Sequence, residues 1–373
     1  MNIAYVAPDF LPNNNAGSIR NSFFVDALQK DNHNVFVFSS FANKKYQMIL
    51  NRLKLPGNKE GNIKRLFKEI CFSIEMFFRI IFYKKMDLYI ISSPPFFVAI
   101  FAFIAAKIKN KNNVILDIRD IYPEVFFANN LLSAKGFIGK TLKKIEKYMY
   151  KNAKEIVTVT KGLKQLIINS SIQKNKIHLI RNGYDPNFFS HSDVKYNFFT
   201  IVFHGTMGRF QNIELLVDLI EAMKKDESIR FLVIGKGPKD YLIKNINTKN
   251  LHYHNNVSYT EINSYISKAH IGLSLRTDGD IGKTAFPVKV FEYIGTGLPI
   301  IITPLSEAGE VVEEEEIGLQ YSNDINKIIK GIYNIKANYA KYTAKYQIKN
   351  KKFSRQFESA KLLTLVGNSK NAN

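Results

Sequence analysis

The chain has 373 residues, is 46% hydrophobic and carries 29 Phe and 19 Tyr, enough for two ordinary domains and too apolar for a disordered segment. Its single cysteine, Cys71, excludes a disulfide framework and a cysteine-based zinc site. The formal charge of +21 leaves three readings: nucleic acid, an anionic membrane surface, or a lysine-rich composition without functional meaning. The absence of a zinc-finger or RNP pattern, and the even spread of basic residues, argue against nucleic acid.

Met1–Pro8 lacks the basic leader of a signal peptide, and 3–7 reads as a first β-strand. A long polar loop follows, Asp9 to Arg20. Gly17, opening a helix predicted over 18–29, lets a phosphate approach the backbone. Arg20 is a candidate acceptor-side residue or only a surface cation. After a strand at 35–39, residues 64–86 mix Lys and Arg with Phe, Ile and Met at helical spacing. That describes an interfacial amphipathic helix or, equally, a core helix with a solvated basic face. Strand 88–92 feeds a helix over 94–109 through Ser92-Ser93-Pro94-Pro95. The longest uncharged apolar run, Phe96–Ala106, falls short of the roughly 20 residues a membrane span requires, so membrane contact is expected from one side only. Strand 114–118 ends in Asp117-Ile118-Arg119-Asp120-Ile121-Tyr122-Pro123-Glu124. Asp120 or Glu124 could accept a proton from an attacking hydroxyl. In the plainer reading Arg119 pairs with these acids and holds the loop. Helices over 142–151 and 161–168, with strands over 155–160 and 177–180, complete the first half.

The polar stretch from Asn182-Gly183 to Tyr196-Asn197 reads as an interdomain linker. The pattern then restarts: strands at 200–204, 230–234, 251–253, 271–275 and 299–302, with helices at 213–224, 241–245, 260–269 and 287–296. This alternation implies the α/β class. Two doubly wound, mostly parallel, Rossmann-like domains (1–188 and 198–345) would face each other across a cleft, followed by a helical tail at 346–373. Ligands belong at the strand C-terminal ends. Two turns there are glycine-bearing. Gly205, Gly208, Gly235 and Gly237 allow backbone to come near a phosphate or nucleobase, and Arg209 could add charge; each turn is equally read as merely tight.

Strand 271–275 runs into Arg276-Thr277-Asp278-Gly279-Asp280-Ile281-Gly282-Lys283 and then the 287–296 helix. Pro287 suits that helix's first turn and Gly297 its C-terminus. Arg276, Lys283 and Lys289 are candidates to neutralise a diphosphate without a metal and to stabilise it as a leaving group. Glu292 can accept two hydrogen bonds from a diol. Diphosphate and ribose are parts of one ligand, a nucleotide. The histidines show no metal-ligand spacing, so no metal is expected. The acidic run Glu313–Glu316 reads as a solvated helix end.

In order and spacing these motifs resemble the GT-B-fold glycosyltransferases of family 4, in the branch of bacterial surface-polysaccharide enzymes similar to the fucosamine transferase WbuB. The residues that carry the resemblance are Asp9–Gly17, Ser92–Pro95, Asp117–Glu124, Val157–Lys161 with Arg181-Asn182-Gly183, His204–Gly208 through Gln211, Gly235–Pro238 and Phe286–Pro299. They cover nearly the whole chain. The resemblance implies transfer of a hexosyl or N-acetylhexosaminyl group from a nucleotide-sugar donor (a UDP-sugar) to a polyprenyl-diphosphate-linked saccharide. The setting would be O-antigen or capsule synthesis, with retention and no metal or other cofactor. Asp120, Lys289 and Glu292 would form the catalytic group, with Asp120, Glu124 and Arg20 on the acceptor side. Glu292 matches the second glutamate of the family's paired-glutamate motif, which holds the ribose. The final helix would cross back to the first domain. The protein is then expected in the cytoplasm, peripheral on the inner face of an anionic membrane.

Two departures stand out. Thr284 occupies the place, eight positions before Glu292, where many members carry the first glutamate. The usual Gly-Arg…Lys-Gly phosphate motif is here Gly205-Thr206…Gln211-Asn212, which passes the diphosphate to Arg276, Lys283, Lys289 or Arg209. Two rival expectations are a nucleotide-sugar epimerase or phosphorylase of the same fold, and an inactive membrane-bound scaffold.

Overall fold

Short β-branched and aromatic runs, each followed by a helix, build two separate parallel sheets in the computed structural model, which describes residues 1–13, 15–55, 62–120, 122–128, 133–279, 285–344 and 350–370. The first sheet contains β1 (Asn2–Val6), β2 (Asn34–Ser39), β3 (Gln47–Leu50), β4 (Leu88–Ser93), β5 (Val114–Ile118), β6 (Glu155–Thr158) and β7 (Ile177–Leu179). Its order is β3-β2-β1-β4-β5-β6-β7. The second contains β8 (Phe199–His204), β9 (Ile229–Ile234), β10 (Leu251–His254), β11 (Ile271–Leu275), β12 (Ile300–Thr303) and β13 (Gly318–Gln320), in the order β10-β9-β8-β11-β12-β13. Both sheets are doubly wound, as the alternation predicts. Strand order reverses beside β1 in one and beside β8 in the other. A crevice opens at such a reversal, outside the strand C-terminal ends.

The chain divides into two compact units, Met1–Arg181 with Ser359–Asn373, and Asn182–Glu358. The closing helix, Arg355–Lys370, therefore returns to the first unit from Ser359 onward. Its Leu362, Leu365 and Val366 are buried in one cluster with Ile3, Tyr5, Phe24 and Ile180. The polar stretch expected to be a loose linker is packed instead. Tyr184 and Phe189 lie in the core of the second unit, and Tyr184 exchanges backbone hydrogen bonds with Phe353 and Arg355. Spaced aromatics, not overall polarity, decide its fate.

The helix Asn62–Phe82 resolves the choice left open for that segment. Phe72, Met76 and Ile80 are buried in the first unit's core, so the helix is packed. Its outward face is largely apolar: Phe67, Ile74, Phe78 and Phe82 are exposed, Phe82 at 82%, with exposed Lys64 and Arg65 near its start. The spacings of seven, four and four place these four on one side of the helix. The helix packed against it, Phe96–Lys109, adds exposed Ile104 and Ile108. Among the described residues, no helix is long and apolar enough to cross a membrane.

One buried acid makes the first unit's stability pH-dependent. Glu146, on the helix Phe137–Asn152, is buried and accepts a hydrogen bond from Tyr150 Oη at 2.8 Å. Burial pushes its carboxyl up to about 8, with Glu124 adding to the rise. The folded state thus holds a proton that the unfolded state has released, and this contribution is lost as pH rises through that value. Between pH 5 and pH 8 we expect this group to lower stability by about 1.4 kcal/mol per pH unit at most. Urea unfolding at several pH values should show that slope, and Glu146→Gln should flatten it.

Candidate functional site

The crevice beside β8 gathers the charged residues of the second unit. Pro287 caps the helix Val288–Thr296, and Gly297 ends it with a left-handed φ of 75°, which a residue without a β-carbon adopts freely. The helix is held deep. Tyr293 Oη donates to Leu273 O at 3.2 Å and lies 3.3 Å from the donating amide of His204. A β-carbon on Gly272 would come within 2.6 Å of the Tyr293 ring. This clamp sets Lys289 and Glu292, 7% and 6% exposed, against the end of β8.

Lys289 Nζ donates to Gln211 Oε1 at 3.1 Å and lies 3.8 Å from the centre of the Phe203 ring. Gly205 lies beside it, and its left-handed φ of 119° is what favours glycine there, since a β-carbon would stand in ordinary contact, 3.5 Å, with Lys289 Cε and Nζ. Burial lowers the Lys289 ammonium to about 7, and Arg276 adds repulsion. Arg276 follows β11 directly. Its backbone pairs with that of Gln211, and its half-buried guanidinium has an Nε without a partner among the described residues. Burial depresses it as well. Among the described residues neither cation forms an ion pair with a carboxylate, although Glu292 lies near enough to Lys289 to act on its charge; such a pair is poised for an added anion.

Glu292 faces three groups from other elements. His204 Nε2 lies 3.2 Å from its Oε2. Burial raises the Glu292 carboxyl, and the charges of Arg355 and then Lys289 oppose the rise. Arg355, buried at the start of the closing helix, donates to Tyr259 Oη at 3.1 Å. Burial lowers the His204 imidazole to about 3, with Lys289 contributing, so it is neutral at any ordinary pH. His204, Arg355 and Tyr259 were not marked as site residues by sequence. His204 has a positional signal, being the last residue of a strand at the reversal. Arg355 has none.

The glycine turns act differently from the expectation. The amides of Gly205, Gly208 and Gly235 already donate to the Ile234, Thr206 and His254 carbonyls, so contact of these turns with a phosphate or nucleobase falls to other backbone groups. Gly235, at φ 154°, allows one turn to lie against the other: a β-carbon there would meet Gly205 O at 2.0 Å, and one on Gly237 would meet Met207 O at 2.4 Å. Arg209 is exposed, 6.0 Å from the Phe210 ring centre. Lys283 and Thr284 lie outside the described residues.

In the first unit, Arg20 is corrected from an acceptor-side candidate to a structural one. Its Nε and Nη2 reach the two oxygens of Asp117 at 3.1 and 2.8 Å, and Nη1 donates to Arg181 O at 3.0 Å. Both side chains are nearly fully buried. A β-carbon on Gly17 would meet Arg119 Nη1 at 2.0 Å, so a larger residue there would have to displace the guanidinium. Asp120 is exposed just past β5. Glu124 forms a half-exposed ion pair with Lys143 at 3.0 Å. Arg119 pairs with neither acid; its Nη2 donates to Pro94 O. Among the described residues, no three His, Cys, Asp or Glu side chains are grouped to hold a metal.

Residues 23–188 match the family described as Glycosyltransferase Family 4, and residues 199–338 match Glycosyl transferases group 1. No curated protein matches the sequence. Among solved structures, the chain is similar to sucrose-phosphate synthase from Thermosynechococcus elongatus, at 14% identity and TM-score 0.74 with all of both chains covered. It is similar to a glycosyltransferase from Rickettsia africae (16%, TM-score 0.68, 100% of this chain and 99% of that one). It is also similar to Anabaena Alr3699/HepE, solved in complex with UDP-glucose (13%, TM-score 0.69, 99% of this chain and all of that one). These likenesses show the fold, an α/β two-domain GT-B arrangement.

Proposed function

We propose that this chain, a glycosyltransferase of the GT-B type with a family 4 half and a group 1 half, moves a sugar from a nucleotide-diphosphate donor, a UDP-sugar, to a lipid-linked saccharide. The observation that carries the donor half is the convergence of Lys289, Arg276 and Glu292 at the strand-order reversal of the second sheet. In this reading Lys289 and Arg276 neutralise the diphosphate and stabilise it as negative charge develops on departure, with no metal required. Glu292 accepts the two ribose hydroxyls. Anabaena Alr3699/HepE, bound to UDP-glucose, supports a UDP donor. Asp120 is the acceptor-side residue, the anomeric configuration is retained, and the product serves surface-polysaccharide synthesis.

The same reading puts the protein on an anionic membrane, where a polyprenyl-diphosphate acceptor resides. The exposed Phe67, Ile74, Phe78 and Phe82 would enter the interface, and Lys64, Arg65, Lys84 and Lys85 would meet lipid phosphates. The test is a transfer assay with UDP-sugars and extracted lipid-linked acceptor, alongside vesicle sedimentation. Transfer is expected to need both substrates. Binding to vesicles containing phosphatidylglycerol should fall at least tenfold in Phe78→Ser/Phe82→Ser. Nucleotide binding without any transfer would make the protein a scaffold and overturn the reading.

A further inference from the structure

We propose that His204 is a positioning residue for Glu292: its ring directs Nε2–H toward Oε2 and orients the carboxylate toward a diol. The proposal rests on the reading of Glu292 as the acceptor of the ribose hydroxyls. His204 closes β8, and its ring is fixed on one side by the edge-on Tyr293 ring at 5.1 Å. Its Nε2 is buried and lies 3.2 Å from Glu292 Oε2, too far off line for a hydrogen bond, and has no hydrogen-bond partner among the described residues.

Chemistry selects the tautomer. Burial raises the Glu292 carboxyl to about 7; above that pH a nitrogen lone pair facing the ionised carboxylate at that distance would be repulsive, whereas an N–H is attractive. The imidazole stays neutral because it is buried and Lys289 stands nearby. A further positive charge beside Lys289 would lower its ammonium still more, so a neutral donor serves the carboxylate without discharging that cation. The other groups around Glu292 are Lys289, one turn earlier on its own helix, and Arg355 with Tyr259 from the closing helix and the 255–261 segment. Arg355 supplies charge; His204 supplies a directed donor. Held from behind in this way, Glu292 keeps lone pairs for two hydroxyls.

The test measures UDP affinity by calorimetry from pH 5.5 to 8.5 for the wild type, His204→Phe and His204→Gln. Protonation of Glu292 should weaken wild-type binding on the acid side. In His204→Phe that acid limb should move up by about one pH unit and Kd at pH 7.5 should rise about tenfold, the fold-change of one lost buried hydrogen bond to a charge. His204→Gln, which keeps a donor, should recover part of both. A His204→Phe protein with wild-type Kd and an unmoved limb overturns the proposal. Nitrogen NMR of the wild-type histidines reads the tautomer without any variant: Nε2–H supports the proposal, and Nδ1–H overturns it. Wild-type protein that binds no UDP would sink the donor reading instead, and the tautomer would still decide the role of His204.

Discussion

Replacing Lys289 with alanine should cut turnover by about 10²–10³-fold, the usual cost of removing one preorganised donor to a developing negative charge. The fold should survive, because the wild-type site holds an ammonium in surroundings that penalise it. Burial and the Arg276 charge have already moved it down to about 7. Removing such a cation relieves a desolvation penalty, so thermal stability should hold or rise slightly. The same strain gives a pH signature. A diphosphate beside Lys289 favours the charged ammonium, so binding above pH 7 must draw a proton from solvent. UDP affinity should therefore fall as pH rises from 7 to 9, and calorimetry in buffers of different ionisation enthalpy should record proton uptake. Lys289→Ala should bind weakly and lose that dependence. Full turnover in this variant, with the fold intact, would remove Lys289 from the site.

The second large effect lies in the first unit. Asp117→Ala should destabilise it by about 3–5 kcal/mol, the cost of leaving a buried charge without its partner. Arg20 would keep its bond to Arg181 O, but its Nε and Nη2 would lose both carboxylate oxygens. The double substitution Arg20→Met/Asp117→Leu should recover most of the loss, since apolar groups of similar volume need no compensation. Urea unfolding, followed by a probe in the first unit, checks both. A single Asp117→Ala costing under about 1 kcal/mol, the range of a surface ion pair, would show the pair to be solvated.

Much of the fold is legible in the sequence for physical reasons that can be named. β5 and β11 lie at the predicted 114–118 and 271–275, because five consecutive core-facing residues leave little choice of boundary. The strands without a prediction, β3 and β13, each form one edge of their sheet. Gln47–Leu50 and Gly318–Gln320 are short and half-exposed, so they lack the apolar density that marks a central strand. The site divides in the same way. Lys289 and Glu292 are legible together because one helix, bounded by Pro287 and Gly297, carries both. Arg20 and Asp117 are 97 positions apart, and no local pattern announces a partner at that separation. The glycines of the two turns were legible as turns but not in purpose, since an amide's hydrogen-bond partner depends on the neighbouring strand.

The return of the closing helix has a consequence for the order in which this protein is made. The second unit is continuous in the chain and is complete when residue 358 leaves the ribosome. The first is finished only by residues translated after it, because Leu362, Leu365 and Val366 cover Ile3 and Tyr5. Residues 3–5 must therefore wait, with part of their apolar surface uncovered, until residues 362–366 are made. A nascent chain in that interval is the form most in need of a chaperone.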